Sequence, residues 1–267
     1  MNSLYIFKKD KLVQTNYLID PCVRPEKTFQ FDVIKVLKNY YPEYIIFPFS
    51  PYVRRGEVSS RPDIALVHKN QSHWYLGEIE TYGHDLFRHV IPQITCLKKG
   101  VISIGRERTL QKQLNITRKQ AELLIKCIPR EVVVISNFYD PKWKFHIEQC
   151  GCSFMCVYHY KKPGCSEEIF LPFGKLKYSL KSLCFGEVNA IDNLITFHMN
   201  LPQRSSLNVT THVGTSKWLL SFEGNKTCLI KQKGIIEFRH KTVVQMFEDC
   251  SGNILIKDPQ IETGSET

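Results

Sequence analysis

Along the first 140 residues, a stretch with helical spacing of apolar side chains is followed by several short apolar runs. The runs at 44–49, 62–68 and 73–80 predict three strands, the last two joined by a polar turn at 69–72. Residues 26–41 predict an amphipathic helix, because their apolar side chains recur at the spacing of one helix face, at Phe29, Val33, Val36, Leu37 and Tyr40.

Two more helices and one more strand are predicted further along. Residues 85–99 predict a helix that kinks at Pro92, and residues 117–127 predict a helix with Thr117 as its N-cap. The apolar run 131–137 predicts a strand buried on both faces. Helices and strands that alternate in this way are typical of an α/β domain.

The pattern changes near residue 150, where short apolar segments are separated by turn sequences at a repeat of roughly 8–12 residues. This rhythm is typical of a small all-β barrel or sandwich. The strands are predicted at 153–160, 168–173, 217–222, 227–231, 234–239, 242–248 and 253–257. We therefore expect three regions: an α/β domain at 1–149, an all-β domain at 150–258 and a disordered tail at 259–267.

Composition excludes two broad classes of protein. A chain of 267 residues with 43% hydrophobic residues can bury a core, which excludes wholesale disorder. No apolar run approaches the roughly 20 residues of a membrane-spanning helix. The lysines of residues 1–11 follow a very short apolar run, whereas those of a secretory signal precede a longer one. These features predict a cytoplasmic protein with no membrane partner.

Ten cysteines are present. Six are scattered singly, which suits the reduced thiols of a cytoplasmic protein better than a disulfide framework. The other four have the spacing C-x-C-x3-C-x8-C and lie near His159. Two interpretations stay open for them, a zinc site or a cysteine-rich strand and turn, formed by Cys150, Cys152, Cys156 and Cys165.

Charge is unevenly distributed along the chain. The net charge is +10, and residues 1–150 carry 23 Lys/Arg against 15 Asp/Glu. Residues 151–267 carry 13 against 11, so the first half holds +8 and the second only +2. A strongly positive surface attracts polyanions, of which nucleic acid is the commonest.

Three carboxylates fall on two neighbouring predicted strands. Asp63 lies at the start of one strand, and Glu78 and Glu80 lie two residues apart on the next. Side chains alternate along a strand, so Glu78 and Glu80 should project from the same face while Ile79 points away. Like charges placed together are costly without a counter-charge. A hard divalent cation that prefers oxygen ligands would offset this repulsion.

These residues resemble the PD-(D/E)XK nuclease superfamily over roughly residues 26–140. The matching residues are Pro62-Asp63 and Glu78-Ile79-Glu80, with a predicted helix before and another after them. The resemblance implies a restriction-endonuclease-like fold, in which helices flank a mixed four-stranded sheet. It also implies metal-dependent cleavage of phosphodiester bonds, with Mg2+ or Mn2+ held by Asp63 and Glu78.

Glu80 departs from the superfamily motif, which has lysine at this position. Some restriction endonucleases of the superfamily also carry Glu there, so Glu80 is a candidate metal ligand or proton acceptor. The missing positive charge would then come from the next helix, where Arg88, His89 and Lys98 are the candidates. Gln93 resembles a glutamine that RecB-like members carry in that helix, although their tyrosine four residues later is replaced here by leucine.

Basic residues surround this acidic motif in the sequence. Phosphate contacts from such residues would give affinity for nucleic acid without reading its sequence. The candidates nearest the motif are Arg54, Arg55, Arg61, Arg88, Lys98 and Lys99, and the basic run continues through Arg106, Arg108, Lys112, Arg118, Lys119 and Lys126.

Two functions fit these features. The first is a Mg2+- or Mn2+-dependent endonuclease acting on DNA in preference to RNA, with a plan that suits restriction or anti-phage defence. A homodimer or higher oligomer would allow such an enzyme to cut both strands of a duplex. The second is a non-catalytic nucleic-acid- or protein-binding module on a degenerate nuclease fold, for which the absent lysine is the main support. Glu26 and Asp32, on the helix before the motif, are weaker candidates for a further metal ligand.

Overall fold

The chain divides into two compact units in this computed structural model. The structure describes residues 3–8, 11–21, 25–81, 83–103, 105, 107–128, 130–178, 180–198, 205–249 and 251–258. The first unit, here the α/β unit, comprises Met1–Asn70, Trp74–Ile125 and Arg130–Lys177. The second, here the barrel unit, comprises Gln71–His73, Lys126–Pro129 and Tyr178–Thr267. The predicted tail at 259–267 and Arg106 lie outside the described residues.

An eight-stranded sheet forms the framework of the α/β unit. Its strands are β1 (Ser3–Lys8), β2 (Lys11–Leu18), β3 (Tyr44–Pro48), β6 (Ile64–His68), β7 (Trp74–Glu80), β9 (Arg130–Ser136), β10 (Ser153–Lys161) and β11 (Glu168–Gly174). The order is β1-β2-β10-β9-β7-β6-β3, and β11 pairs with β10. A separate small sheet has the order β5-β4-β8, from β4 (Val53–Arg55), β5 (Val58–Ser60) and β8 (Val101–Ile102).

The strands that carry the acidic motif lie inside the large sheet. β6 pairs antiparallel with both β3 and β7, and β7 pairs parallel with β9. Every residue of β7 is buried, as expected for a strand covered on both faces. Gly77 is required at its centre, because a Cβ atom there would lie 2.5 Å from Ile64 Cγ1 on β6. The predicted strands at 44–49, 62–68, 73–80 and 131–137 are all present.

Helix α1 (Glu26–Tyr40) precedes these strands and buries Phe29, Val33 and Leu37, three of the five predicted apolar positions. Further helical segments lie between β7 and β9 or after β9. They are a π-helical turn (Leu86–Val90) that leads into α2 (Ile91–Lys99), then α3 (Glu107–Leu114), α4 (Arg118–Lys126) and α5 (Pro141–Gln149). Thr117 caps α4 as predicted, since its Oγ1 accepts from Gln120 N at 3.3 Å.

The predicted irregularity near Pro92 is a change of helix type. Residues 86–99 form one continuous helical run, in which a π-helical turn is followed by α2 with Pro92 in its first turn. The irregularity is the π-helical turn just before it. Asp85 caps that turn, because its carboxylate accepts from Phe87 N and Arg88 N at 2.8 Å each.

The unit boundary also differs from the predicted one at residues 149 and 150. β10 and β11 belong to the large sheet, because β10 pairs parallel with β9 and β11 pairs with β10. The division falls between Lys177 and Tyr178. Local alternation predicted both strands but carries no information about which sheet they join. β1, β2, the small sheet, α3 and α5 were not predicted at all.

The barrel unit is a closed seven-stranded barrel, which confirms an all-β second region. Its strands are β12 (Leu180–Asn189), β13 (Leu194–Phe197), β14 (Ser206–Thr211), β15 (Gly214–Glu223), β16 (Lys226–Lys231), β17 (Val243–Asp249) and β18 (Ile254–Lys257), closed in the order β12-β13-β16-β15-β14-β18-β17. Trp218, Phe197 and Met246 lie in its apolar core. The predicted strand at 234–239 is wrong, because that segment is a connection without strand pairing.

Inside the barrel unit, one lysine is buried with a carboxylate partner. Lys231 Nζ pairs with Glu237 and donates to Ile235 O at 3.1 Å, and its ammonium lies 5.9 Å from the centre of the Trp218 ring. Ion pairing of this kind is what a buried charge requires. Glu237 therefore ties the 232–242 connection to β16.

Candidate metal centre

Asp63 is fixed at the edge of the β6–β7 ladder. Its Oδ2 accepts from Ile79 N at 2.8 Å, one step beyond the last paired residues of the two strands. Its backbone N donates to Gly77 O at 3.0 Å, and its backbone O accepts from Phe49 N at 3.0 Å. One carboxylate oxygen of Asp63 therefore accepts the backbone hydrogen bond that follows the last paired residues of β6 and β7. Its other oxygen, Oδ1, lies 3.4 Å from Gln30 Nε2 of α1.

Glu78 lies on β7 beside this carboxylate and is only 5% exposed. Its Oε1 accepts from Gln93 Nε2 of α2 at 2.8 Å. Its Oε2 is buried and has no hydrogen-bond partner among the residues that the structure describes. A buried, unsatisfied carboxylate oxygen is costly, and such an oxygen is suited to coordinate a cation.

Glu80, two residues further along β7, faces two histidines. It is 1% exposed, and its Oε2 contacts His84 Nδ1. Its Oε1 lies 3.8 Å from His89 Nε2, at the end of the π-helical turn. The two imidazole rings meet edge to face, with their centres 4.9 Å apart.

Asp63, Glu78, Glu80, His84 and His89 are here called the acidic cluster. Helix α1 brings two further polar side chains to this cluster. Glu26 lies in its first turn, and Glu26 Oε2 is 3.6 Å from His84 Nε2. Gln30 lies one helical turn later and approaches Asp63. Residues four apart share one face of a helix, so both side chains point to the same place. Here Glu26 joins the cluster, as the sequence weakly suggested, whereas Gln30 was not predicted.

Burial raises the pKa of all three carboxyl groups. Burial, with a smaller contribution from Glu26, raises the pKa of Asp63 to about 6, against the lowering effect of the Ile79 N–H. Burial and then the charges of Asp63, Glu80 and Glu26 raise the pKa of Glu78 well above its usual range. Burial also raises the pKa of Glu80, although His84 and His89 oppose this shift. A bound cation would reverse these shifts.

The donors fall into two chemically different sets. Asp63 and Glu78 offer carboxylate oxygens alone, which suit Mg2+ or Mn2+, and the unsatisfied Glu78 Oε2 is consistent with such an ion. Glu80, His84 and His89 offer one oxygen and two nitrogens, whose ligand atoms all lie within 4.8 Å of one another. Within the described part of the chain, this is the single group of three or more such side chains that meets this spacing.

Lys98 does not stand in for the missing lysine of the motif. Its Nζ donates to Gly151 O at 2.6 Å and to Cys150 O at 3.1 Å. Those carbonyls lie at the C-terminal end of α5, where a cation is favourable. Of the three candidates for this role, His89 reaches Glu80 and Lys98 is held elsewhere. Arg88 is exposed on the π-helical turn, one residue before His89.

The other predicted phosphate-binding residues lie on exposed positions. Arg54 and Arg55 are on β4 of the small sheet, and Lys99 ends α2. Arg61 stacks over the Tyr52 ring, with the guanidinium carbon 3.7 Å from the ring centre. All four side chains are accessible to solvent, as a contact to phosphate requires.

The four closely spaced cysteines do not gather into a metal site among the described residues. Cys156 is buried on β10, and its Sγ donates to Phe138 O at 3.0 Å. Cys152 is also buried, whereas Cys150 and Cys165 are half-buried. Of the two interpretations, the cysteine-rich strand and turn agrees with this arrangement. The eight cysteines within the described residues are all free thiols.

His84 was the main residue that the sequence did not assign to the cluster. A local signal exists, since His84 and His89 closely follow Glu80, but the sequence does not show that the π-helical turn folds back onto the strand. No family model matches the chain, and neither curated proteins nor solved structures give a significant match. Within the described ranges, the helices are all too short or too polar to cross a bilayer.

Proposed function

We propose that the α/β unit is a metal-dependent nuclease that hydrolyses phosphodiester bonds of nucleic acid, with DNA preferred over RNA. The observation that carries the proposal is the buried carboxylate pair Asp63–Glu78, in which one oxygen of each residue is held by the protein and Glu78 Oε2 is left unsatisfied. Residues arranged in this way at the end of a β-hairpin suit a divalent cation.

The surrounding elements agree with the resemblance noted in the sequence. The strands β3, β6, β7 and β9 form a mixed run, antiparallel at two steps and parallel at the third. Helix α1 precedes them, and α2 follows β7. This is the order expected of a restriction-endonuclease-like core, and we propose that fold for the α/β unit.

In this proposal, Asp63 and Glu78 hold Mg2+ or Mn2+. When bound, the ion would activate a water molecule and offset charge on the phosphate. Gln93 keeps Glu78 in place through its bond to Oε1, and the Ile79 N–H does the same for Asp63. His84 and His89 face Glu80, so imidazole nitrogens stand beside the position that carries lysine in the superfamily.

The substrate would be held by exposed cations close to the motif in the sequence. Arg54, Arg55, Arg61, Arg88 and Lys99 would contact the phosphate backbone, which gives affinity without sequence preference. A role in restriction or anti-phage defence, and an oligomer that cuts both strands, are further parts of the proposal.

A cleavage assay tests it. The full chain is incubated with single- and double-stranded DNA and RNA, in Mg2+, in Mn2+ and in EDTA. We expect metal-dependent cleavage by the wild type and a loss of at least about 100-fold in rate for Asp63→Asn and Glu78→Gln, because each removes a charged ligand while keeping the shape. Glu43→Gln, an exposed acid outside the cluster, is the matched control and should cleave at the wild-type rate.

The alternative function is a non-catalytic binding module. The replacement of the motif lysine by Glu80 favours it, as does the engagement of Lys98 at the end of α5. If the wild type binds nucleic acid but cuts no member of the panel in either metal, the enzyme proposal fails and the binding module replaces it. Cleavage that persists in Asp63→Asn would also contradict the proposed site.

A further inference from the structure

We infer that Glu80, His84 and His89 form a second metal site, one that takes a transition-metal ion such as Zn2+ or Co2+ in preference to Mg2+. The inference concerns binding at these three side chains, so it stands independently of the proposed hydrolysis. It also separates Glu80 from the Asp63–Glu78 pair, with which the sequence grouped it.

The spacing of the donor atoms is the first argument. In a tetrahedral site with metal–ligand bonds of about 2.0–2.1 Å, neighbouring ligand atoms lie roughly 3.3 Å apart. His89 Nε2 is 3.8 Å from Glu80 Oε1, His84 Nδ1 contacts Glu80 Oε2, and the three ligand atoms lie within 4.8 Å. Small side-chain rotations would bring all three into coordination range.

The burial of Glu80 is the second, independent argument. This carboxylate is 1% exposed, and its Oε1 forms no hydrogen bond with any residue in the described ranges. Oε1 is directed toward His89, on the side where the cation would bind. A buried carboxylate oxygen without a hydrogen bond requires a cation or a hydrogen-bond donor to compensate for its lost hydration.

Metal-binding histidines usually direct their second ring nitrogen to a carboxylate, and Glu26 is the carboxylate that faces His84. Its Oε2 faces His84 Nε2 at 3.6 Å, on the opposite side of the ring from Glu80. A proton on Nε2 directed to Glu26 leaves the Nδ1 lone pair free for a metal. The carboxylate would thereby set the tautomer and the ring orientation of His84.

The chemistry of the donors decides the class of ion. Imidazole nitrogen is a good ligand for Zn2+ and for Co2+, whereas Mg2+ and Mn2+ favour oxygen and Mg2+ retains its waters. His84 and His89 are 32% and 49% exposed, so the site is open on one side. Three protein ligands and an open position are typical of sites in which a metal binds water or substrate.

Metal titration of the full chain tests the inference. The EDTA-treated, dialysed protein is titrated with Co2+ and followed by visible absorption, and with Zn2+ and Mg2+ by calorimetry. We expect saturable Co2+ binding with the d–d bands of a nitrogen- and oxygen-ligated ion. His89→Gln and His84→Gln should each weaken it by about 10- to 100-fold. Mg2+ should not compete at equal concentration.

Two controls isolate the site. His240→Gln removes an exposed histidine of the barrel unit and should leave Co2+ binding unchanged. His198→Gln, at a second exposed histidine of the barrel unit, should also retain it, because His198 belongs to neither proposed metal site. Circular dichroism checks that each variant is folded, and Glu80→Gln gives a third variant that should lose binding.

Two results would overturn the inference. One is the absence of saturable Co2+ and Zn2+ binding to the wild type. The other is equal affinity in the wild type and in the double variant His84→Gln/His89→Gln, which would assign the bound ion to other groups, such as thiols. A protein that binds Co2+ through these histidines yet cuts no nucleic acid would refute the proposed function alone.

Discussion

At the scale of single residues, the α/β unit concentrates acidic groups where folding alone gives no reason to place them. Asp63, Glu78 and Glu80 are buried or half-buried, and burial raises the pKa of each. Protein interiors normally avoid like charges at short range. Groups whose pKa values are displaced by burial and by each other are characteristic of functional sites. This is the place where we propose that a cation binds.

Replacing Asp63 by asparagine should stabilise the metal-free protein at high pH. The pKa of Asp63 is about 6 when folded against 3.8 for the free group, so the folded state holds the proton more tightly than the unfolded chain. The ionised carboxylate then destabilises the fold above pH 6, and this penalty disappears below about pH 4. The amide oxygen of the introduced asparagine can still accept the Ile79 N–H bond. We expect a gain of roughly 1–2 kcal/mol at pH 8.

Thermal unfolding in EDTA at pH 4 and at pH 8 measures this difference. The gain should be present at pH 8 and absent at pH 4. Added Mn2+ should reduce or reverse it, because only the wild type keeps both charged ligands. An Asp63→Asn variant that is less stable than the wild type at pH 8 in EDTA would contradict the pKa shift.

The neighbouring residues Lys98 and Lys99 on α2 should contribute to different properties, the first to stability and the second to DNA binding. Lys98 donates to the carbonyls of Cys150 and Gly151, whereas Lys99 is exposed. Lys98→Gln should lower the free energy of unfolding by about 1 kcal/mol through the loss of this contact to the end of α5. Lys99→Gln should leave stability unchanged. It should reduce the slope of the logarithm of the DNA-binding constant against the logarithm of the salt concentration by about one.

Urea denaturation and fluorescence anisotropy at several salt concentrations distinguish the two lysines, since each serves as the control for the other. If Lys98→Gln lowers the salt slope as much as Lys99→Gln does, then Lys98 contacts phosphate and the capping contact is secondary.

At the scale of elements, the site depends on how closely two strands approach. Asp63 directly precedes β6, and Glu78 lies on β7. On the opposite face of β7, Ile64 pairs with Gly77 so closely that an added Cβ would lie 2.5 Å from Ile64 Cγ1. The π-helical turn has a similar role, because it delivers His89 to Glu80. Such turns are often found at functional sites.

Gly77→Ala should therefore destabilise the α/β unit. The added methyl group would lie 2.5 Å from Ile64 Cγ1, which forces a shift in a packed region. We expect a cost of about 1–3 kcal/mol in urea denaturation. The double variant Gly77→Ala/Ile64→Ala should lose less than the sum of the two single variants, because Ile64→Ala removes the clashing atom. Strict additivity would show that the clash is not the cause.

At the scale of the whole molecule, the division into units sharpens the charge asymmetry. The α/β unit carries 26 Lys/Arg and 17 Asp/Glu, a net charge of +9, and the barrel unit carries 10 and 9, a net charge of +1. The two halves of the chain, divided at residue 150, carry +8 and +2, because that division counts residues 151–177, with a net charge of +2, in the second half and Lys126 in the first. The positive field thus belongs almost entirely to the unit with the acidic cluster.

Nucleic-acid affinity should accordingly depend on the α/β unit. The binding constant for a fluorescent duplex should fall linearly with salt on logarithmic axes. Arg54→Gln/Arg55→Gln should lower the affinity and reduce the slope by about two units. Lys226→Gln/Lys233→Gln, a matched pair of exposed lysines in the barrel unit, should change neither. Equal losses from both pairs would indicate non-specific attraction to the net charge.

The amino-acid pattern by itself predicted α1, the strands β3, β6, β7 and β9, and an all-β second region. It succeeded there because spacing along the chain reports directly which face of an element is buried. It also singled out Asp63, Glu78, Glu80 and Gln93. In the structure Asp63 is held by Ile79 N and Glu78 by Gln93, whereas Glu80 faces His84 and His89. The functional assignment of these residues remains a prediction that the assays above address.

Only the tertiary structure decided what depends on pairing between distant segments. The placement of β10 and β11 in the large sheet follows from partners on β9, which local alternation does not specify. The same holds for Lys98, whose partners are over 50 residues away. His84 and His89 are only four and nine residues from Glu80, but the path of the chain before and through the π-helical turn decides that both reach it. The residue types determined which functional groups were available. The fold determined which of these groups lie close enough to act together.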